Sequence, residues 1–214
     1  MDEEIEIINS NTRKEKFFIF LKSNKKKILS ILISFILIII IFFSYKEYKK
    51  NQEIIFSETY NLAVIQYNER KIEQSISDLK KLIEKKHKTY SVLAFYFLLD
   101  NNIITSKNEI NSYFDLIINQ IDLEKEMKNL VIYKKALFNA EFADENQLIK
   151  ILNPLFNSNS VWNSHGQLLL AQYFLAKSEK QKAKEFLEKI INSDNSNINI
   201  KNDARKILLA EFSE

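Results

Sequence analysis

Apolar and polar residues follow helical periodicity along most of this chain, and one long apolar run stands near its start. The run ILSILISFILIIIIFFSY, Ile28–Tyr45, has 18 residues and no charge. From Glu53 onward, apolar residues recur every three to four positions between short polar stretches rich in Asn and Asp. This spacing predicts amphipathic helices at roughly 53–68, 72–86, 88–100, 106–120, 124–141, 144–152, 161–177, 180–193 and 198–212. Asn153-Pro154 is expected to end its helix, because a residue before proline avoids the helical region.

The apolar run has the length and the flanks of a transmembrane helix. At about 1.5 Å per residue it is roughly 27 Å long, close to the ~30 Å hydrocarbon core of a bilayer. It is apolar on every face and has lysines on both sides, unlike a helix of a soluble core. A cleaved signal peptide is the alternative, but its apolar region is shorter and ends at small residues. Here the run ends in Phe42-Phe43-Ser44-Tyr45, so we predict an uncleaved helix.

The distribution of positive charge predicts the orientation of this helix. Seven Lys or Arg residues precede it between Arg13 and Lys27, and Lys46, Lys49 and Lys50 follow it. Because positive charge stays on the cytoplasmic side, we expect a cytoplasmic tail at 1–27 and a transmembrane helix at 28–45. The chain is then a single-pass protein of the inner (cytoplasmic) membrane of a bacterium, and the part after the helix lies in the periplasm. No helix breaker follows the run, so we expect a juxtamembrane helical linker at 46–57 and a helical domain at 58–214.

The predicted helices share a spacing that indicates repeated helical hairpins. Small residues twelve positions apart let two helices approach closely, and large residues four and seven positions later fill the groove between them. The small pairs are Ala63 with Ser75, Ala94 with Ser106, and Ala171 with Ala183. Ala136–Phe156 fits the same pattern more weakly. We therefore predict an all-α fold, with a single N-terminal transmembrane helix followed by a solenoid of helical hairpins.

Composition excludes several classes of function. There is no cysteine, which excludes disulfides, thiolate nucleophiles and Cys-based metal sites. One glycine and one proline disfavour an all-β fold and a glycine-rich phosphate loop. From Glu53 onward there are 21 Lys or Arg and 22 Asp or Glu residues. This balance lacks the clustered basic face that nucleic-acid binding requires.

The helix offsets and the order of segments resemble a known family. The spacing is that of the tetratricopeptide repeat (TPR), although the usual glycine of the turn within a repeat is absent. A short tail, one membrane helix and a divergent TPR-like domain resemble the YfgM-like family of ancillary Sec translocon subunits. Val161–Ile191 looks like that family's last repeat and Asn202–Phe212 like its closing helix, and the likeness spans roughly Phe17 to Phe212. The resemblance implies an inner-membrane protein that associates with the translocon and passes emerging chains toward periplasmic chaperones. It supplies no catalytic residues.

The sequence contains no recognisable catalytic, cofactor-binding or metal-binding constellation. His87 and His165 lie far apart without a suitable set of acidic neighbours, so we expect capping or surface roles for them. Aromatic residues are more numerous than a small core requires, and some are predicted to contact an extended peptide on one face of the stacked hairpins. These candidate contact residues are Tyr90, Tyr96, Phe97, Trp162 and Tyr173.

Three functions remain open from the sequence. The first is a non-enzymatic, membrane-tethered scaffold that links emerging or unfolded client chains at the Sec translocon to periplasmic chaperones. It uses no cofactor, nucleic acid or small-molecule substrate. The second is a scaffold that coordinates envelope assembly or cell division. The third is a membrane enzyme or small-molecule receptor, which requires a deep pocket with convergent polar groups. The observations favour the first.

Overall fold

The computed structural model describes residues 16–157 and 159–212. Within these ranges the chain forms helices joined by turns and contains no β-strand, which confirms the predicted all-α class. The chain falls into two compact units, divided between Ser57 and Glu58. Most of the predicted N-terminal tail, residues 1–15, lies outside the described residues.

The first unit contains a short helix and a long apolar one. Helix α1 covers residues 16–23, a turn follows at Asn24, and α2 begins at Lys25 and continues to Asn68 in the second unit. Of the helices described, α2 is the one long and apolar enough to cross a membrane, and its most apolar stretch has no buried residue. The predicted transmembrane helix and linker are therefore parts of one continuous 44-residue helix, as the absence of a breaker led us to expect.

The second unit consists of the end of α2 and eight further helices within the described residues. They are α3 (Ile72–Glu84), α4 (Tyr90–Asp100), α5 (Lys107–Gln120), α6 (Lys125–Asn139), α7 (Glu145–Phe156), α8 (Trp162–Ala176), α9 (Lys180–Asn192) and α10 (Ile198–Phe212). Apolar periodicity predicted each of these helices. The periodic residues form helices because burial of the apolar stripe stabilises them, and most helical stability in proteins comes from such packing.

From α3 onward, consecutive helices pack against one another, and α8 also contacts α6 and α10. Small residues lie where the first and last predicted hairpins close. Ala171 and Ala183 are fully buried on α8 and α9. On α3, the buried Ser75 hydroxyl donates a 2.7 Å hydrogen bond to the Ala63 carbonyl of α2. These contacts bring paired helices together as the spacing of small residues predicted.

Three even-numbered helices are followed, two residues after their last residue, by a residue with left-handed backbone. Arg70, Asn102 and Ser178 have φ angles of 65°, 54° and 62°. The amide that follows each of them donates to a carbonyl five residues earlier, for example Glu179 N to Phe174 O at 2.8 Å. This is the Schellman pattern, in which glycine is the usual left-handed residue. It reverses the chain into the next odd-numbered helix without glycine.

Two predictions about helix ends and crossings are wrong. Helix α7 does not end before Pro154 but continues to Phe156. Pro154 lies in the last turn, where one ladder bond is lost, and the fully buried Leu155 holds this turn in the core.

Ser106 does not lie at a close crossing of two helices. It is the exposed N-cap of α5, and its hydroxyl accepts a 3.4 Å bond from the Glu109 amide, which satisfies a free donor of the first turn.

The core of the second unit runs through the hairpins and fixes the orientation of the even-numbered helices. One buried cluster joins α6, α7, α8 and α9, and its members include Leu148, Leu152, Leu155, Leu170 and Phe174. A second joins α8, α9 and α10 through Ala171, Leu187, Ile190 and Ala204. Because these faces are buried, the remaining faces of α6 and α8 are directed to solvent.

Candidate protein-binding surface

Exposed apolar side chains of the second unit are concentrated on the even-numbered helices. Among its described residues, the exposed large apolar side chains on or directly before these helices are Leu62, Ile65, Leu93, Met127, Leu137, Val161, Ile198 and Leu209. The other two are Ile72, the first residue of α3, and Phe142, in the turn after α6. Soluble surfaces carry single apolar residues everywhere, but a concentration on one set of helices indicates a contact surface.

Helices α4, α6 and α8 carry the centre of this apolar region. We call it the even-helix surface and define it by Tyr90, Leu93, Tyr96, Phe97, Met127, Tyr133, Lys134, Leu137, Val161, Trp162 and His165. On α6, Met127, Lys134 and Leu137 follow one another at intervals of seven and three, which places them on one face of the helix. Leu137 is 52% exposed and Met127 is 46% exposed. None of the defining residues is fully buried.

Aromatic rings connect α4 to the second-unit end of α2. The Tyr60 ring lies 6.2 Å from Tyr90 and 6.4 Å from Phe97, measured between centroids, and Tyr67 lies 5.3 Å from Phe97. Burial raises the pKa of Tyr60. These edge-to-face and tilted contacts hold partly exposed rings in defined positions. The predicted contact residues Tyr90 and Phe97 therefore lie side by side.

Tyr96 connects α4 to α6. The Lys134 ammonium lies 4.2 Å from the Tyr96 ring centroid, a geometry in which the cation is attracted to the ring face. Burial and then the Asp100 carboxylate raise the pKa of Tyr96 above the usual value. Its hydroxyl is buried and has no hydrogen-bond partner among the described residues. The ring therefore contributes apolar area to the surface, and the hydroxyl contributes no accessible polar group.

Trp162 connects α8 to α6. Its ring stacks on Tyr133 at a centroid distance of 5.5 Å and an interplanar angle of 26°. His165 lies 4.9 Å from Trp162 and 5.8 Å from Tyr133. At the N-terminal end of α8, Ser160 accepts from the Trp162 amide and donates to Glu126 of α6 at 2.8 Å. These bonds fix the start of α8 against α6, so the three rings form one partly exposed cluster.

Tyr173 does not belong to this surface. Its side chain is 8% exposed, and its hydroxyl donates a 3.2 Å hydrogen bond to the Ala143 carbonyl. It lies in the core cluster of α6 to α9, which contradicts its prediction as a peptide-contact residue. Tyr90, Tyr96, Phe97 and Trp162 are all partly exposed, and the structure places them on three successive even-numbered helices.

The odd-numbered helices α5, α7 and α9 present a different surface. Apart from Pro154, their exposed residues are all polar or charged. We call them the odd-helix surface, which consists of Lys107, Asn108, Ser112, Asp115, Asn119, Gln120, Asn146, Gln147, Lys150, Asn153, Lys180, Gln181, Lys182, Glu185, Glu188, Lys189 and Asn192. Ion pairs occur on this side, such as Lys182 with Glu145 at 2.7 Å, which joins α9 to α7. The hairpin stack therefore has one apolar, aromatic surface and one hydrated, charged surface.

A groove of about 680 Å³ lies between α5, α6 and α7. Its volume is in the range of small-molecule sites, but most polar groups on its walls already bond to each other. Asn111 and Asn139 exchange two amide hydrogen bonds, at 3.1 and 2.8 Å, and Lys135 pairs with Asp115 at 2.7 Å. Gln147 is part of the capping box of α7. Few polar groups therefore converge on a ligand there.

Within the described ranges, no group of three or more Asp, Glu, His or Cys residues could hold a metal ion. His87 Nδ1 accepts from the Thr89 and Tyr90 amides at 3.3 and 3.2 Å at the start of α4, which is the capping role expected for it. His165 Nδ1 lies 3.1 Å from the Val161 carbonyl. The residues of the even-helix surface that the sequence did not predict as contacts are Leu93, Met127, Tyr133, Lys134, Leu137, Val161 and His165. For Met127, Lys134 and Leu137, the available signal was their helical spacing.

Comparison with known proteins gives no family for this chain. No protein-family model matches the sequence, and no curated protein or solved structure matches it significantly.

Proposed function

We propose that this chain is a membrane-anchored scaffold that binds other proteins through the even-helix surface. The observation that supports the proposal is the concentration of exposed apolar side chains on the even-numbered helices, whereas the residues of the odd-helix surface are polar or charged. Apolar patches rimmed by polar residues are typical of protein-binding sites. Aromatic side chains are also favoured at such sites, because they bury a large area with little loss of rotamer entropy.

The anchor in this proposal is the apolar half of α2. Its length and composition suit a bilayer, and the excess of Lys and Arg before it favours a cytoplasmic N-terminus. The helical hairpins then lie in the periplasm, as a divergent TPR-like domain attached to the inner membrane. The large residues at the end of the apolar run support retention of this helix in the mature chain.

The partners we propose are Sec translocon subunits, periplasmic chaperones and unfolded client chains. The resemblance to YfgM-like proteins supports this choice, and so does the chemistry of the surface. A client chain that has not folded exposes apolar side chains, and half-exposed rings such as Trp162 and Tyr133 provide area to cover them. Lys134 and Glu126 lie among these rings as charged groups of both signs. In this proposal the chain has no enzymatic activity.

Co-purification of the full chain in mild detergent tests the proposal. The variant Leu137→Glu introduces a charge at the centre of the even-helix surface, and Asn119→Glu introduces the same charge on the odd-helix surface as a control. Both positions are exposed, so we expect each change to alter stability by less than ~0.5 kcal/mol. Binding should fall about tenfold for Leu137→Glu alone, as for a contact residue worth ~1.4 kcal/mol.

The identity of the recovered proteins separates the candidate functions. Translocon subunits or chaperones that are lost with Leu137→Glu support the proposed partners. Recovery of only wall-synthesis or division proteins favours the envelope-assembly scaffold. Equal recovery with both variants contradicts a role for the even-helix surface. A reporter fused after Glu214 tests the topology, and activity confined to the cytoplasm would overturn the periplasmic location.

A further inference from the structure

We propose that residues 16–27 make a second contact with the membrane, at the bilayer interface and with a preference for anionic phospholipids. The apolar side chains of 17–21 insert at the headgroup boundary, and the neighbouring lysines bind lipid phosphates. The inference rests on the proposed function in one respect, that α2 spans a bilayer. It concerns the lipid partner of the first unit and is independent of the proteins bound by the second.

The residues of this segment have the composition of an interfacial anchor. Lys16 and Lys22 flank five consecutive large apolar residues, FFIFL. Phe17, Phe18, Ile19 and Phe20 are 59%, 69%, 66% and 58% exposed. Basic segments with Phe, Trp and Leu lie at membrane surfaces, where rings enter the acyl boundary and lysines remain in the headgroup layer.

If α2 continued straight along its axis toward the N-terminus, residues 17–21 would lie too far from the apolar run to contact lipid. Residues 22–27 are polar and separate FFIFL from Ile28. Six helical residues span about 9 Å, whereas each headgroup layer is roughly 5–8 Å thick. A straight helix would therefore hold five large apolar side chains in water, which is unfavourable relative to their burial.

The structure has a joint between the two apolar segments. Helix α1 ends at Ser23, Asn24 forms a turn, and α2 begins at Lys25. Two side-chain donors bond to the Phe20 carbonyl, the Ser23 hydroxyl and the Asn24 side-chain amide, each at 3.1 Å. They share this carbonyl with the ordinary helical bond from the Asn24 backbone amide at 3.0 Å. Side chains that bond to the backbone in this way compete with the helical ladder and bend helices. A bend here returns FFIFL to the interface.

The charge of the segment indicates which lipid it binds. Residues 16–27 contain five lysines and no acidic residue. Within the described residues, none of these lysines forms an ion pair. Lysines close to an anionic membrane surface are attracted to it, and salt screens this attraction. The ligand class is therefore the phosphate of an anionic phospholipid, reached from the end of the membrane helix.

The absence of cysteine from the chain gives a clean experiment. Single variants Phe18→Cys, Ile36→Cys and Asn153→Cys of the full chain are spin-labelled and reconstituted in nanodiscs. One set of discs contains phosphatidylcholine with phosphatidylglycerol, and the other contains phosphatidylcholine alone. Collision of each label with a water-soluble nickel chelate and with oxygen reports its depth. Ile36 reports the bilayer interior, and the exposed Asn153 reports water.

In the anionic discs, we expect collision of the Phe18 label with the nickel chelate to be at least ~3-fold lower than for Asn153, as for an interfacial residue. Neutral discs, high salt, or replacement of Lys22, Lys25, Lys26 and Lys27 by Gln should reverse this protection. The matched control Lys46→Gln, Lys49→Gln and Lys50→Gln should retain it.

Three results overturn the inference in different ways. Equal accessibility of Phe18 and Asn153 in both discs contradicts the interfacial contact. Equal protection of Phe18 in both discs contradicts the preference for anionic lipid. An accessible label at Ile36 contradicts the membrane anchor itself, which separates failure of the proposed function from failure of this inference.

Discussion

Removal of a buried leucine at the centre of the hairpin stack should destabilise the helical domain strongly. Leu170 of α8 is fully buried in the cluster that joins α6 to α9. The change Leu170→Ala removes three side-chain carbons and leaves a cavity lined by residues of several helices. Such changes cost about 2–5 kcal/mol. Because Leu170 has no exposed area, we expect a loss of about 3 kcal/mol in the free energy of unfolding.

The same change at an exposed leucine is the matched control. Leu209 of α10 is 69% exposed, so Leu209→Ala removes the same atoms with little loss of packing. Leucine and alanine both favour helix, and we expect a change within ~0.5 kcal/mol. The two variants therefore differ in burial and share their chemistry.

Urea unfolding of the full chain in mild detergent measures both variants. Circular dichroism follows all helices, and fluorescence of the single tryptophan, Trp162, follows the contact of α8 with α6. With a urea slope of ~2 kcal/mol per M, the Leu170→Ala midpoint should fall by about 1.5 M. A difference of less than ~1 kcal/mol between Leu170→Ala and Leu209→Ala would refute the packing described for this cluster.

Four further predictions concern turns, packing, ionisation and processing. Ser178→Gly should raise the free energy of unfolding by about 0.5–1 kcal/mol, because glycine adopts the left-handed backbone without strain; a loss of stability in the same urea assay would contradict the turn. A Cβ at Gly166 would lie 3.3 Å from Leu152 Cδ2 and Phe156 Cε1. The free energy of unfolding of Gly166→Ala should therefore stay within ~1 kcal/mol of the parent, and Gly166→Leu should lose about 1–3 kcal/mol or more. Equal stability of the two variants would contradict this contact. Burial, with a contribution from Glu109, raises the pKa of Tyr113 to about 12. The contribution of this shift to the free energy of unfolding is complete below pH 10 and is lost between pH 10 and about 12. If the phenolate absorbance of the folded chain reached its final value by pH 11, this shift would be contradicted. The mature chain should retain its N-terminus in an intact-mass measurement, and a mass that lacks residues 1–45 would indicate signal-peptide cleavage.

Much of the fold follows from the sequence because helical periodicity is a local signal. Of the nine helices predicted after the apolar run, the first is the end of the continuous helix α2, and the other eight are present as separate helices among the described residues. Their ends mostly lie within two residues of the expected positions. Pro154 is the clearest exception, since burial of Leu155 outweighs the local preference of a residue before proline. The left-handed turns at Arg70 and Ser178 carry no composition signal, because arginine and serine do not mark such positions.

The candidate surface was predicted less completely than the fold. Aromatic content pointed to Tyr90, Tyr96, Phe97 and Trp162, but it did not distinguish these residues from Tyr173, which is buried. Which side of a helix is exposed depends on contacts between distant helices, for example α6 with α8. Leu137 illustrates this limit. Its spacing along α6 fits either a core position or a surface position, and the contacts of α6 with its neighbouring helices decide between them.

Site-specific photo-crosslinking in cells tests the central claim most directly. A photoreactive phenylalanine analogue replaces Leu137 on the even-helix surface or Glu188 on the odd-helix surface, in the full chain. We predict that Leu137 yields crosslinks to other proteins and that Glu188 yields few or none. Crosslinks of equal yield from both positions, or from Glu188 alone, would contradict binding through the even-helix surface.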